Sequence, residues 1–152
     1  PLGKGEIKNA LVVGAGGAAR AVVWALHNHG VKVTILNRSL EHAQTLASET
    51  MSSFDTLENA HLYNGIPELV VQTTCVGMGN LSDEESIPSF SFTGKEIAYD
   101  LVYNPRLTRF LKRAMEAGCT IIGGSQMLME QGKLQFEAFT GYHYPHWIQA
   151  DI

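Results

Sequence analysis

The chain has 152 residues, 45% of them hydrophobic and 17% charged, with a formal net charge of -4. That length points to one domain around a single core, and the negative charge leaves no basic footprint for nucleic acid. No apolar run approaches the length of a membrane span, and the opening residues, Pro1 to Glu6, lack the apolar core of a secretory leader. The two cysteines, Cys75 and Cys119, have no zinc-site spacing and read as buried free thiols, so no metal site is expected. A soluble chain in a reducing compartment, the cytoplasm, is the expectation.

Along the chain, apolar runs alternate with amphipathic segments, the pattern of a parallel sheet covered by helices. The continuous run Ala10, Leu11, Val12, Val13 predicts a strand buried on both faces. Residues 18–28, rich in Ala, Val and Leu, predict a helix that Gly30 ends. Val31, Val33, Thr34 and Ile35 predict a second strand over 31–36, and Ser39 an N-cap for a helix running to about Thr50. Residues 51–67 carry the weakest pattern, read as a short edge strand near Ser53 and a helical turn near Leu57. A buried strand follows over 69–73. Residues 80–94 contain Asp83, Glu84, Glu85 and Pro88 and read as an exposed loop with a solvated acidic face. The remaining elements are a strand over 97–101, a helix over 108–117 ended by Gly118, and a short strand over 120–122. An amphipathic helix over 125–139 follows, with Met129, Leu134 and Phe136 among its apolar positions. The tail, 141–152, with Tyr142, Tyr144 and Trp147, is expected to dock as a last short helix.

The first chemical signal is Gly14, Ala15, Gly16, Gly17, Ala18, Ala19, which reads G-x-G-x-x-A between a strand and a helix. Gly14 permits the tight turn, Gly16 clears space for a pyrophosphate against the backbone, and Ala19 lets the helix pack close on the sheet. The helix N-terminus then offers unpaired N–H groups and a partial positive charge. A bare strand-to-helix turn is the alternative, but the strand before, the helix after and the next strand all fit a nucleotide site. The fold class is therefore α/β, a Rossmann-type doubly wound, mainly parallel sheet in the order 3-2-1-4-5-6 with right-handed crossovers, forming one domain over residues 1–152.

NAD-binding domains place an acidic residue after the second strand, to hold the ribose 2′-hydroxyl. Here Asn37, Arg38 and Ser39 stand there instead. Arg38 offers a planar, permanently charged donor suited to a 2′-phosphate, and Asn37 and Ser39 add neutral hydrogen bonds. NADP is therefore expected over NAD.

Taken with further motifs, the chain resembles the shikimate dehydrogenase family. The phosphate loop and Asn37-Arg38-Ser39 are similar to that family's cofactor signature. Gln72-Thr73-Thr74-Cys75-Val76-Gly77-Met78 resembles its N-A-T-x-x-G-M stretch, with Gln72 in place of the usual Asn. Residues 99–105, YDLVYNP, match closely, as do Gly124 and residues 127–131, MLMEQ. The resemblance covers nearly the whole chain, in order. It implies that Ala15, Gly16, Gly17 and Ala18 lie against the pyrophosphate and that Asn37, Arg38 and Ser39 hold the adenosine ribose phosphate. It also implies that Thr74 lines the cofactor groove, that Leu101 and Gly124 sit near the nicotinamide, and that Tyr103 and Gln131 point to shikimate. On the residues alone, Tyr103 reads equally as a core tyrosine and Gln131 as a solvated helix residue. His42 stands where some members carry a second basic contact to the 2′-phosphate.

The resemblance further implies a preceding catalytic domain that carries a Lys and an Asp in N-V-T-x-P-x-K and G-x-N-T-D motifs. Neither motif occurs in this sequence, so no catalytic residue is assigned within the chain, and an isolated domain is expected to expose an apolar cleft face prone to self-association. The complete enzyme would reduce 3-dehydroshikimate to shikimate with NADPH. A glutamyl-tRNA reductase has a comparable cofactor segment, but the stretches at 99–105 and 127–131 speak against it. A regulatory protein that has kept such a module as a ligand sensor stays open, because the deciding Lys and Asp lie outside the chain.

Overall fold

A computed structural model describes residues 7–145. The helix expected within 141–152 lies largely outside the described residues, and 141–145 are irregular. Six strands, β1 (Asn9–Val13), β2 (Lys32–Asn37), β3 (Ser53–Thr56), β4 (Leu69–Gln72), β5 (Ile97–Asp100) and β6 (Thr120–Ile122), form one sheet in the order β3-β2-β1-β4-β5-β6. Every pairing is parallel. Four helices accompany it, α1 (Gly17–Asn28), α2 (Leu40–Thr50), α3 (Arg109–Glu116) and α4 (Ser125–Thr140), with 3-10 turns at Leu57–Tyr63 and Gly79–Leu81. This is the expected Rossmann-type α/β fold.

The two central strands, β1 and β4, are apolar on both faces because both faces are covered. Ala10, Val12, Ile35, Leu69 and Val71 meet α1 and α2 through Ala19, Val23, Ala43 and Leu46. Leu11, Val13, Leu36, Val70 and Ala98 meet Phe110, Leu111 and Ala114 of α3 on the other face. The helix ends follow their local chemistry. Gly30, at φ +75°, turns the chain out of α1, and its N–H donates to the His27 carbonyl at 2.9 Å. Ser39 caps α2, its Oγ accepting the His42 N–H at 3.5 Å, and Thr108 caps α3 by accepting the Leu111 N–H at 3.3 Å. At the β3 edge, Asp55 accepts from Asn59, from the Thr56 N–H and from Tyr63 Oη, which pins the following 3-10 turn. The Asn59 bond is the chief cause holding its carboxyl below the usual range.

The segment 80–94 differs from the exposed loop expected. Ile87 and Phe90 are fully buried, and Phe90 stacks edge-to-face on Phe92 at 5.1 Å. The acidic run is divided: Asp83 and Glu84 are exposed, whereas the Glu85 side chain is 11% exposed and lies 3.3 Å from Arg113. The cause is α3, whose Arg109 donates to the Asp83 carbonyl and whose Arg113 donates to the carbonyls of Ile87 and Phe90, drawing the loop onto the core. The cysteine expectation also needs correcting. Cys75 is exposed, because it stands in the loop after β4, and Cys119 is half-buried, its thiol 3.3 Å from Glu96 Oε2.

Two features generate measurable consequences. Asp100 ends β5 fully buried, accepting the Val102 N–H at 2.9 Å and the Thr108 hydroxyl at 2.6 Å. Desolvation outweighs those bonds and pushes its carboxyl up to about 6. An unfolded aspartate loses its proton near pH 3.9, so the folded chain retains a proton that the unfolded chain has released. The resulting cost, on the order of 3 kcal/mol, is absent below pH 4 and complete above pH 6. Urea unfolding across this range should show wild type losing stability relative to Asp100→Asn between pH 4 and 6. Parallel profiles would contradict the assignment.

Gly124, at the start of α4, has no room for a side chain, since a Cβ there would overlap the Leu101 carbonyl oxygen and stand 2.5 Å from its carbon. Both are backbone atoms of the β5 exit and cannot rotate away. Gly132, further along α4, has nothing within 4 Å. Thermal unfolding should therefore show Gly124→Ala destabilised by about 1–3 kcal/mol, while Gly132→Ala gains about 0.5–1 kcal/mol of stability from helix propensity alone.

Candidate functional site

The strand order reverses between β1 and β4, and the crevice where α/β sheets place ligands lies beyond the carboxyl ends of these strands. Gly14, at φ +112°, carries the chain out of β1, with its N–H donating to the Leu36 carbonyl at 2.8 Å. Gly16 and Gly17 are exposed, and a Cβ at either would meet nothing within 4 Å, so the loop opens a cradle with bare backbone on its floor. Gly16 supplies no side-chain cap to α1, and no acidic residue stands in the first turn. The first-turn N–H groups therefore face the cradle with the positive end of the helix dipole behind them, a setting suited to a diphosphate. Ala15 is half-buried and Ala18 exposed. Arg20, the nearest cation in sequence, is turned away into an ion pair with Glu49 of α2.

At the end of β2, Asn37 folds its carboxamide back, Nδ2 donating to the Ser39 carbonyl at 2.9 Å. One of its donors is thus committed to shaping the turn. Ser39 Oγ accepts as the α2 cap, leaving the hydroxyl proton to donate outward. Arg38 is exposed between them and has no ion-pair partner among the described residues. The turn therefore carries an exposed guanidinium next to a helix N-terminus, a combination suited to a phosphate monoester on the ribose. His42 is exposed one turn into α2.

A second part of the crevice, a cleft of about 190 Å³, is lined by Ala18, Leu101, Tyr103, Gly124, Met127, Leu128 and Gln131. Five residues expected at the site thus come together from the phosphate loop, the β5 exit and α4. None of the lining residues is charged, so the cleft suits a neutral ring with hydroxyl or amide substituents. Tyr103 is 42% exposed, which removes the core-tyrosine alternative, and Gln131 is exposed on α4 within the cleft wall. Asn37, Arg38 and Ser39, at the β2 exit, and Thr74, in the loop after β4, lie outside this cleft.

Thr74 departs from the simple groove-lining role. Its hydroxyl donates to Gln72 Oε1 at 2.8 Å and accepts the Val76 N–H at 3.2 Å, so it is engaged within its own loop. Its methyl is what approaches the phosphate loop, 3.1 Å from where a Gly14 Cβ would stand. Met127 and Leu128 line the cleft in addition to the residues expected there. Their place beside Gln131 in the 127–131 stretch, at helical spacing, was the available signal. Among the described residues, no helix is long and apolar enough to cross a membrane and no three His, Cys, Asp or Glu side chains group as metal ligands.

The sequence profile of shikimate / quinate 5-dehydrogenase matches residues 2–83, including the phosphate loop, the β2 exit and the loop after β4. A shikimate dehydrogenase (NADP(+)) of Desulforamulus reducens is 40% identical, covering 100% of this chain and 54% of that protein. The bifunctional 3-dehydroquinate dehydratase/shikimate dehydrogenase of Arabidopsis thaliana is 36% identical over 95% of this chain and 24% of its own length. In three dimensions the chain is similar to shikimate 5-dehydrogenase from Thermus thermophilus in complex with NADP(H) and shikimate, with a TM-score of 0.73 at 37% identity, covering 90% of this chain and 50% of that one. The chain spans about half the length of the single-function relatives it matches. On this profile match and these relatives, the chain belongs to the shikimate / quinate 5-dehydrogenase family.

Proposed function

We propose that this chain is the cofactor-binding domain of a cytoplasmic, NADP-dependent shikimate dehydrogenase that reduces 3-dehydroshikimate to shikimate. The observation that carries the reading is the set of features at the carboxyl ends of adjoining strands. They are the exposed Arg38 turn after β2, the open Gly16–Gly17 turn after β1, and the uncharged cleft that Ala18 lines together with Leu101, Tyr103, Gly124 and Gln131. These three compartments match the three parts of NADP: a ribose phosphate, a diphosphate and a neutral nicotinamide. When bound, the cofactor supplies the hydride. The chain's own residues hold and orient: Gly16, Gly17 and Ala18 offer backbone N–H groups, Arg38 and Ser39 the 2′-phosphate contacts, and Leu101 and Gly124 the ring wall. Tyr103 Oη and the Gln131 carboxamide stand at the open side of the cleft, where they can orient a polyhydroxylated ring.

Reduction of a carbonyl also requires a proton at the developing alkoxide. No lysine or carboxylate lines the cleft, so the proton donor in this proposal comes from a second domain closing over it. Holding both reactants between two domains accounts for a large part of a typical rate enhancement, on the order of 7–11 kcal/mol in well-aligned cases.

Titration with NADP and NAD tests the cofactor half of the proposal. Arg38→Ala should weaken NADP by roughly tenfold to a hundredfold, as expected for a hydrogen-bonded contact to a charged group, with little change for NAD. Equal losses for both cofactors would remove Arg38 from the 2′-phosphate site. The activity half is tested by following NADP reduction by shikimate in absorbance, for the 152-residue chain and for the protein that contains it. The chain alone should be inactive and the full protein active. Turnover by the chain alone would place the proton donor within it, and a full protein that binds NADP without turnover would favour a ligand sensor.

A further inference from the structure

Gln72 is the last residue of β4, is fully buried, and is flanked in register by Val13 of β1 and Asp100 of β5. Its main chain ties the two neighbours' exits together: Leu101 N–H donates to its carbonyl at 3.0 Å, while the adjacent Thr73 N–H donates to the Val13 carbonyl at 2.9 Å. Its side-chain hydrogen bonds go to the loop that follows rather than to a neighbouring strand. Oε1 accepts the Thr74 N–H at 2.7 Å and the Thr74 hydroxyl at 2.8 Å, and Nε2 donates to the Val76 carbonyl at 2.8 Å and the Thr74 carbonyl at 3.3 Å. All four hydrogen-bonding positions of the carboxamide are thus filled by one short stretch of loop.

That loop has a defined place. Thr73 Oγ1 donates to the Val13 carbonyl at 2.7 Å and stands 2.5 Å from where a Gly14 Cβ would be. The segment that Gln72 latches is therefore the surface against which the phosphate loop turns. Accepting the cofactor reading above, we propose that Gln72 is a positioning residue for the dinucleotide: its carboxamide pre-forms the Thr73–Val76 wall of the groove in the ligand-free protein. Without the latch the loop must be ordered when the cofactor binds, and that entropy is subtracted from affinity. The length of the side chain matters as well as its polarity. An asparagine, one methylene shorter, cannot span from β4 to both Thr74 and Val76. A glutamate has the right length but turns two donors into acceptors facing the Thr74 and Val76 carbonyls.

The test uses the full-length protein and two variants, Gln72→Asn and Gln72→Glu. Calorimetric titration should show NADP binding weakened by roughly tenfold or more in Gln72→Glu and by less in Gln72→Asn, since lost bonds to buried groups carry that cost. Steady-state kinetics should show the KM for NADP rising while kcat at saturating cofactor is nearly retained. Hydrogen exchange in the ligand-free protein should show faster exchange at the Thr74 and Val76 amides, with protection in β1 and β5 unchanged. The exchange and binding data on Gln72→Asn decide the matter if the glutamate variant does not fold. Wild-type affinity in both variants would overturn the positioning role alone, as would a loss of NADP affinity matched by an equal loss for shikimate. A wild-type protein that does not bind NADP would overturn the cofactor reading and this inference together.

Discussion

The exits of β1 and β4 touch, and the geometry of the crevice follows from that contact. Thr73 leaves β4 with both its N–H and its hydroxyl on the Val13 carbonyl, which brings its oxygen within 2.5 Å of the space a Gly14 side chain would need. Only a residue without a Cβ can stand there, and its φ of +112° is also a conformation that L side chains rarely adopt. One glycine therefore meets two requirements at once. It frees the chain to turn sharply into α1, and it lets the neighbouring strand's loop close against the turn. Immediately after that crowded turn, Gly16 and Gly17 stand open, with nothing within 4 Å of where a side chain would start.

The other end of the crevice depends on a similar close approach. The start of α4 lies directly over the Leu101 carbonyl, and Gly124 is the residue that allows it. The proposed role of Gly124 is beside a nicotinamide; the structure shows a packing reason for the glycine that is independent of any ligand. Because α4 is held at its N-terminus in this way, Met127, Leu128 and Gln131 reach the cleft while residues further along the helix, such as Leu134 and Phe139, remain exposed. An amphipathic pattern in the sequence is present there without an apolar surface among the described residues to cover it.

Polar side chains near the strand ends, half-buried at Asp55 and buried at Gln72, Glu96 and Asp100, organise the loops beside them. Asp55, Gln72, Glu96 and Asp100 each accept or donate within the few residues that follow or precede them. Glu96 is instructive because desolvation pushes its carboxyl up, yet hydrogen bonds from Thr93, from its own backbone and from Cys119 together hold it below the usual range. Asp100, with fewer donors, goes the other way. The number of N–H and O–H groups that a loop can turn toward a buried carboxylate decides which form it takes.

Much of this was legible in the sequence. The apolar runs at 10–13 and 69–73, the glycine loop and the Ser39 cap rest on local periodicity and turn chemistry, which adjacent residues carry by themselves, and the strand order follows from the doubly wound fold that those motifs indicate. The site residues could be named because short motifs hold them at fixed spacing. What local pattern could not carry was contact across the chain. The acidic stretch at 83–85 reads as solvated until α3 reaches back with Arg113, and Ile87 and Phe90 read as loop residues until Phe92 and Phe110 surround them. The α/β class, the phosphate loop and the Arg38 turn were set by sequence, since each is built from neighbours in the chain. That Gln72 holds its own loop and that Gly124 must lack a side chain emerged with the folded structure, because the first depends on how residues 73–76 turn back on one buried carboxamide and the second on the Leu101 backbone that the sheet brings to the start of α4.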